Sequence, residues 1–304
     1  MKKVIEMIIG SHVNFTKDQL YGATMHALSF GATTFMFYTG APQNTVRSKI
    51  DEKKTKAAWE LMKKGGIKLE NVVCHAPYII NLANKEKLDS WNFSIEFLQN
   101  EMKRVEELGV KYIVVHPGNY LKLDVSEALC NISEALNEIL SIENNVIILL
   151  ETMAGKGTEC GRNIVELKTI LAKVERKEKV GICLDTCHLN DSGIDIGSFD
   201  EYLNLLDGEV GLEKVKCVHI NDSKNILGSH KDRHENLGYG TIGFDNLIKV
   251  IYNYRLKDVP KILETPWIDA YPPYKIEIDM IKNKKFNPNL EKDVKDLYNK
   301  EPNF

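Results

Sequence analysis

Short runs rich in β-branched residues alternate with amphipathic stretches along this chain, and the alternation repeats eight times. The runs fall at residues 4–10, 34–38, 71–74, 112–115, 146–150, 180–184, 215–218 and 261–263. Between the third and fourth, Trp91, Ile95, Leu98, Met102, Val105 and Leu108 recur at spacings of three and four and make one apolar stripe, which Gly109 ends. Eight strand-then-helix units predict a closed (β/α)₈ barrel, a TIM barrel of the α/β class, better than an open doubly wound sheet. No dinucleotide fingerprint follows the first strand. At 304 residues and 43% hydrophobic, the chain suits one large domain over 1–304. The barrel is expected over about 4–283, with a Lys-, Asn- and Glu-rich tail, 284–304, packed loosely outside it.

Ionisable residues fall on that framework in a regular way. His75, His116, Glu151, Asp185, His219 and Glu264 each stand at the end of a predicted strand, six strands in a row. In a barrel those ends converge on one rim, where such folds carry their active sites. Two further groups belong to loops on the same rim: His188, three residues after Asp185, and the pair Asp232 and His234. In an extended segment residues two apart point the same way, so Asp232 and His234 are expected to close on one cation while Arg233 faces away. Any one of these residues alone reads as a helix cap or a satisfied core histidine. Together, four carboxylates and five histidines buried without cations would leave like charges unpaired in low dielectric. Nine ligands exceed what one ion takes, since zinc binds about four, so a cluster of two or three is implied.

The remaining composition is consistent with this. The 40 Lys and Arg against 43 Asp and Glu give a formal charge of −3, which argues against a polyanion as partner. Three divalent ions would take −3 to +3 and concentrate the added charge at one place. The six cysteines contain no C-x-x-C pair and read as reduced thiols of a cytosolic protein. Cys183 and Cys217 share strand parity with Asp185 and His219, so they are expected inside the barrel as packing, one layer below the ligands. The apolar run at the N-terminus breaks too early for a signal peptide, and no segment is long enough to span a bilayer. A soluble, cytoplasmic protein with no membrane partner is expected.

Seven stretches taken together are specific. They are Tyr38-Thr39-Gly40-Ala41-Pro42-Gln43-Asn44, His75-Ala76-Pro77-Tyr78, His116-Pro117-Gly118, Glu151-Thr152-Met153-Ala154-Gly155, Asp185-Thr186-Cys187-His188, His219-Ile220-Asn221-Asp222-Ser223-Lys224 and Lys231-Asp232-Arg233-His234. Through them the chain resembles endonuclease IV, the zinc-dependent abasic-site endonuclease family of base-excision DNA repair, from Gly10 to Pro266. The resemblance implies three Zn²⁺ per chain. One would take His75, His116 and Glu151; the second would share Glu151 and add Asp185, His219 and Glu264; the third would take His188, Asp232 and His234. It implies Glu151, Glu264 and Asp185 as the catalytic carboxylates, with Glu264 helping to orient the attacking hydroxide. Cleavage is expected 5′ to an abasic site in duplex DNA, leaving a 3′-hydroxyl and a 5′-deoxyribose phosphate. Trimming of blocked 3′ ends and a monomeric enzyme are expected as well.

Other rim residues are candidates for gripping DNA. Gln43 and Asn44 sit in a Gly- and Pro-fixed turn that could fill the space left by an extruded nucleotide, and Tyr78 could stack there, aimed by Pro77. Lys224, Lys231 and Arg233 are candidate phosphate contacts, and His12 at the end of the first strand is a candidate backbone contact. His26 falls in a helix and reads as structural. Gly155-Lys156-Gly157-Thr158 lacks Walker A spacing, so no nucleotide-triphosphate site is expected. A metal-dependent sugar isomerase or epimerase could share the barrel, but it would not need the His188, Asp232 and His234 set. A damage-binding or metal-storage module would not need ligands that position water.

Overall fold

A computed structural model describes residues 7–300. Eight parallel strands close into a barrel: β1 Ile9–His12, β2 Thr34–Phe37, β3 Val73–His75, β4 Tyr112–Val115, β5 Ile147–Glu151, β6 Val180–Asp185, β7 Val215–Ile220 and β10 Lys261–Leu263. Two short strands, β8 Asp222–Ser223 and β9 His234–Glu235, form an antiparallel ribbon outside it. The barrel closes where β1 pairs with β10 and with β2. Gly10 is needed at that seam, because a Cβ there would lie 1.8 Å from the Thr34 carbonyl oxygen.

The helices are α1 Gln19–Ser29, α2 Glu52–Gly65, α3 Leu88–Glu107, α4 Val125–Ile139, α5 Ile164–Ala172, α6 Thr186–Ser192, α7 Phe199–Glu209, α8 Phe244–Ile251, α9 Tyr274–Asn283 and α10 Leu290–Lys300. Their apolar stripes pack on the outer face of the strands in one continuous core. In α3, Trp91, Ile95, Leu98, Met102 and Val105 are buried as the spacing predicts, and Gly109 follows the helix with φ +73°. Among the described residues no helix is long and apolar enough to cross a membrane.

Inside the barrel, one layer of side chains comes from Met36, Val73, Val114, Leu149, Cys183, Cys217 and Ile262, all fully buried. Side chains alternate along a strand, so the residue two positions on points the same way one layer higher. That rule lifts each of these seven onto Tyr38, His75, His116, Glu151, Asp185, His219 and Glu264. Cys183 and Cys217 therefore lie where their parity puts them, beneath the rim.

Several boundaries differ from expectation. The third strand begins at Val73 and not at 71, because Leu69–Asn71 is a 3₁₀ turn whose Asn71 carbonyl accepts the Thr34 hydroxyl. The first strand starts at Ile9, and the part of its predicted run at 4–6 lies outside the described residues. Strands β5, β6 and β7 run on into Glu151, Asp185 and Ile220, since the polar residues still pair across the ladder, Glu151 with Cys183 and Asp185 with His219. Over Leu290–Lys300 the tail is not loosely packed. Leu290, Val294 and Tyr298, spaced by four, bury one face of α10, and the Tyr298 ring stacks on Tyr271 at 4.8 Å.

Candidate metal centre

Every strand-end ligand candidate reaches the same hollow on the rim. Glu151 is its centre: Oε2 lies 3.1 Å from Nε2 of both His75 and His116, and Oε1 lies 3.0 Å from His219 Nδ1. His219 Nδ1 is also 3.0 Å from Glu264 Oε2 and 3.8 Å from Asp185 Oδ2. A third group gathers round Asp232, whose Oδ1 is 3.0 Å from His188 Nε2 and 3.5 Å from His234 Nε2. The potential ligand atoms of His75, His116 and Glu151 lie within 4.8 Å of one another, as do those of Glu151, Asp185, His219 and Glu264. The same holds for Asp185, His188 and His234.

Asp232 reaches its place differently from the extended segment expected. Its φ is +54°, a left-handed conformation, and only His234 belongs to the ribbon. The turn is held by Asp191, buried on α6, which accepts the Asp232 backbone N–H at 2.9 Å. Asp191 also accepts the Ser223 hydroxyl at 2.6 Å and the Asn225 amide at 2.9 Å. Asp185 has two tasks. Its Oδ1 caps α6 by accepting the His188 N–H at 2.7 Å, which fixes the spacing of Asp185 and His188, and its Oδ2 faces the hollow.

Sequence reasoning missed the groups that aim the ligands. The Asn221 amide donates to Asp185 Oδ2 at 2.7 Å, and its Oδ1 accepts the Glu264 backbone N–H at 3.0 Å. The Thr152 hydroxyl accepts the Asp185 N–H, and the Thr152 carbonyl is 2.9 Å from His188 Nδ1. Carbonyls of Ala76 and Glu264 stand at 2.7 and 3.2 Å from Nδ1 of His75 and His234. Such bonds fix the tautomer that leaves the other ring nitrogen free for a cation. Asn221 and Thr152 did lie within stretches singled out above, but a lone amide or hydroxyl carries no ligand signal.

Electrostatics follow from the crowding. Burial works against a charged imidazole at His188, but the Asp185, Asp232 and Glu151 carboxylates outweigh it and hold its pKa well above the ordinary value. Against the same burial, His116 is raised by Glu151, and His219 is raised well above its ordinary value by Cys183 ahead of Glu264 and Glu151. Burial would lift Glu151 and Asp232, yet the surrounding imidazoles pull Glu151 well down and Asp232 to about 2. The residues fit metal ions. The buried Nε2 of His234 makes no hydrogen bond, although it points between Asp185 and Asp232 carboxylates at 3.8 and 3.5 Å. Ligand atoms around a tetrahedral ion with bonds of about 2 Å stand about 3.3 Å apart, and the separations of 3.0 to 3.8 Å named above bracket that value.

The candidate DNA residues divide. Tyr78 is 55% exposed, with its ring 5.5 Å from that of His116 and its hydroxyl 2.8 Å from the Tyr38 hydroxyl. Gln43, Asn44, Lys231 and Arg233 are exposed. Lys224 is exposed as well and stands 3.8 Å from Glu235. His12 is half-buried edge-on to Tyr38 at 5.1 Å, and burial pushes its pKa down to about 4, so it is neutral. His26 lies on α1 but is exposed, so its ring is no part of the core.

A parallel barrel with a cation-ready rim of this kind defines a class, and the family model described as xylose isomerase-like TIM barrel matches residues 26–284. Within that class the chain belongs to the endonuclease IV family. It is 47% identical over 289 residues to a probable endonuclease 4 of Mesoplasma florum, which spans 93% of this chain and 99% of the relative. The crystal structure of endonuclease IV from Thermus thermophilus is 30% identical with a TM-score of 0.78, covering 90% of this chain and 97% of that one. A D-tagatose 3-epimerase-like protein, 19% identical with a TM-score of 0.64 over 90% of this chain and 99% of its own, shares the fold.

Proposed function

We propose that this protein is an abasic-site DNA endonuclease that binds three Zn²⁺ and hydrolyses the phosphodiester 5′ to the lesion. The observation that carries the reading is the gathering of nine potential ligands: His75, His116 and Glu151 in one group, Glu151, Asp185, His219 and Glu264 in a second that shares Glu151, and Asp232 within 3.0 and 3.5 Å of His188 and His234 in a third. The names of its relatives supply the polymer. His75, His116 and Glu151 would hold one ion, Glu151, Asp185, His219 and Glu264 the second, and His188, Asp232 and His234 the third. When bound, such ions neutralise the charge of a phosphodiester and acidify a water to a pKa of about 7.

The chain's own groups do the rest. Glu151 spans the first two groups with one oxygen toward each, which fixes their separation. Asn221 ties the Asp185 carboxylate to the backbone of Glu264, which fixes where the Glu264 side chain starts, and Glu264 would orient the attacking hydroxide. Tyr78, exposed beside His116, would fill the gap left by an extruded abasic nucleotide. Lys231 and Arg233 flank the ligand candidate Asp232 in the chain, and with Lys224 they are exposed and would serve as phosphate contacts, while Gln43 and Asn44 are exposed in the loop after β2. A cytoplasmic monomer acting in DNA repair, able also to trim blocked 3′ ends, completes the reading.

Two measurements test it. Purified protein should contain three zinc ions per chain by elemental analysis. It should also convert an abasic duplex to a product with a 3′-hydroxyl and a 5′-deoxyribose phosphate. One ion or none in protein that cleaves normally, or cleavage on the 3′ side of the lesion, removes the reading. Turnover of a ketose without cleavage of DNA would restore the sugar-epimerase alternative.

A further inference from the structure

The segment between β2 and α2 carries Gln43 and Asn44 into solvent without a helix or strand of its own. A chain of that kind loses backbone entropy when a ligand orders it. Here two guanidiniums gather it from beneath. Arg47 Nη1 donates to the carbonyls of Ala41, Asn44 and Val46 at 3.3, 3.0 and 2.9 Å, and Arg47 Nε donates to Glu101 Oε1 on α3 at 2.8 Å. Arg104, one turn along α3, donates to the Thr39 hydroxyl and carbonyl, both at 3.1 Å, and to the Ser48 carbonyl at 2.8 Å. The other oxygen of Glu101 accepts the Thr39 hydroxyl at 2.6 Å.

Both ends and the middle of the loop are thus tied to one carboxylate that is 1% exposed, and the Arg47 side chain is 8% exposed. The Arg47 guanidinium also lies 5.2 Å over the Phe97 ring. Gly40 is shaped by this staple, since a Cβ there would meet Arg47 Nη1 at 2.8 Å and Cδ at 2.9 Å, and the pinned arginine cannot step aside. Arg47 Nη2 is buried without a partner, a cost that an incidental surface arginine would avoid by turning to water.

We propose that Arg47 and Glu101 are positioning residues that hold the 39–48 loop, before substrate arrives, in the shape that receives abasic duplex DNA. A preset loop spares the ordering cost at binding, and it presents Gln43 and Asn44 at a fixed height above the rim. The inference rests on the DNA reading of that rim.

Arg47→Lys keeps the charge and removes the fork, and Glu101→Gln keeps the shape and removes the charge. Each variant is assayed on an abasic duplex and on bis(4-nitrophenyl) phosphate, a small diester with no strand for the loop to grip. Metal content is measured alongside, and hydrogen exchange of the two loop amides that donate within the loop, Asn44 to the Ala41 carbonyl and Val46 to Asn44 Oδ1, is followed in the wild-type protein and the variants. KM for the duplex should rise about tenfold, with kcat and small-diester turnover within about twofold. Metal content should not change, and the loop amides, protected in the wild type, should exchange faster in the variants. An unchanged KM, or equal losses on both substrates, overturns the proposal. So do wild-type loop amides that exchange as fast as free peptide, a result that stands even if neither variant folds. If wild-type protein does not cleave abasic DNA, the proposed function falls and this inference with it; an active wild type beside indifferent variants sinks the inference alone.

Discussion

Tyr78 shows how much one side chain can be asked to do on this rim. Its ring stands within stacking distance of His116, 6.1 Å from His75 and 5.7 Å from Tyr38, while more than half its surface faces solvent. An aromatic ring so exposed contributes little to the core, and what it loses on truncation is contact with a ligand, about 1–3 kcal/mol for a stacked base. Tyr78→Ala should therefore weaken binding to an abasic duplex about tenfold, the lower part of that range. Metal content and Tm should hardly change. A variant that melts much lower yet binds the abasic duplex as before would assign Tyr78 to the fold. The hydroxyl bond to Tyr38 is a separate matter, and Tyr78→Phe isolates it.

At the scale of elements, the six strand ends were legible because a polar residue after an apolar run is a simple signal, and parity then orders the whole rim. Tyr38 obeys the same parity above Met36, but it was noticed only as part of a matching stretch. Asp232 was legible as a ligand and illegible as a conformation: nothing in Lys231-Asp232-Arg233 announces a left-handed residue, and its hold by Asp191 crosses 41 positions of sequence. Helix α10 was missed for another reason, since its three buried residues are diluted by Lys, Asp, Glu and Asn on the other faces. That helix gives a prediction. Leu290 is 1% exposed, so Leu290→Ala should cost about 3 kcal/mol and lower Tm, while cleavage at 25 °C persists because α10 supplies no ligand candidate. An unchanged Tm would mean that the tail only rests on the barrel.

For the whole molecule, the ligand hollow links metal, charge and stability. Without cations, His116, His188 and His219 have pKa values raised above 6.5, so as imidazolium they neutralise the carboxylates. A raised folded-state pKa gives stability that is complete below the unfolded value and lost as pH rises through the folded one. Chelated protein should therefore lose Tm steadily as pH is raised from about 6.5, the ordinary histidine value. Metal-loaded protein should not, because there the imidazoles are already neutral. Calorimetry of both forms across pH 6 to 9 checks this, and parallel curves would show that the hollow contributes nothing to stability when empty of cations.

The ribbon of β8 and β9 is an attachment to the barrel and not a part of its wall. Six of the ligand candidates grow from the wall, where moving one means moving a strand, but Asp232 and His234 hang on an appendage that Asp191 on α6 ropes to the barrel through the Asp232 N–H and the Ser223 hydroxyl. Asp222, itself on β8, closes the appendage on itself with both oxygens, taking backbone N–H groups from Gly238, Gly240 and Ile242. Loosening that segment would therefore disturb the third ligand group, through Asp232 and His234, before the other two, while His188 stays fixed on α6 beside Asp185.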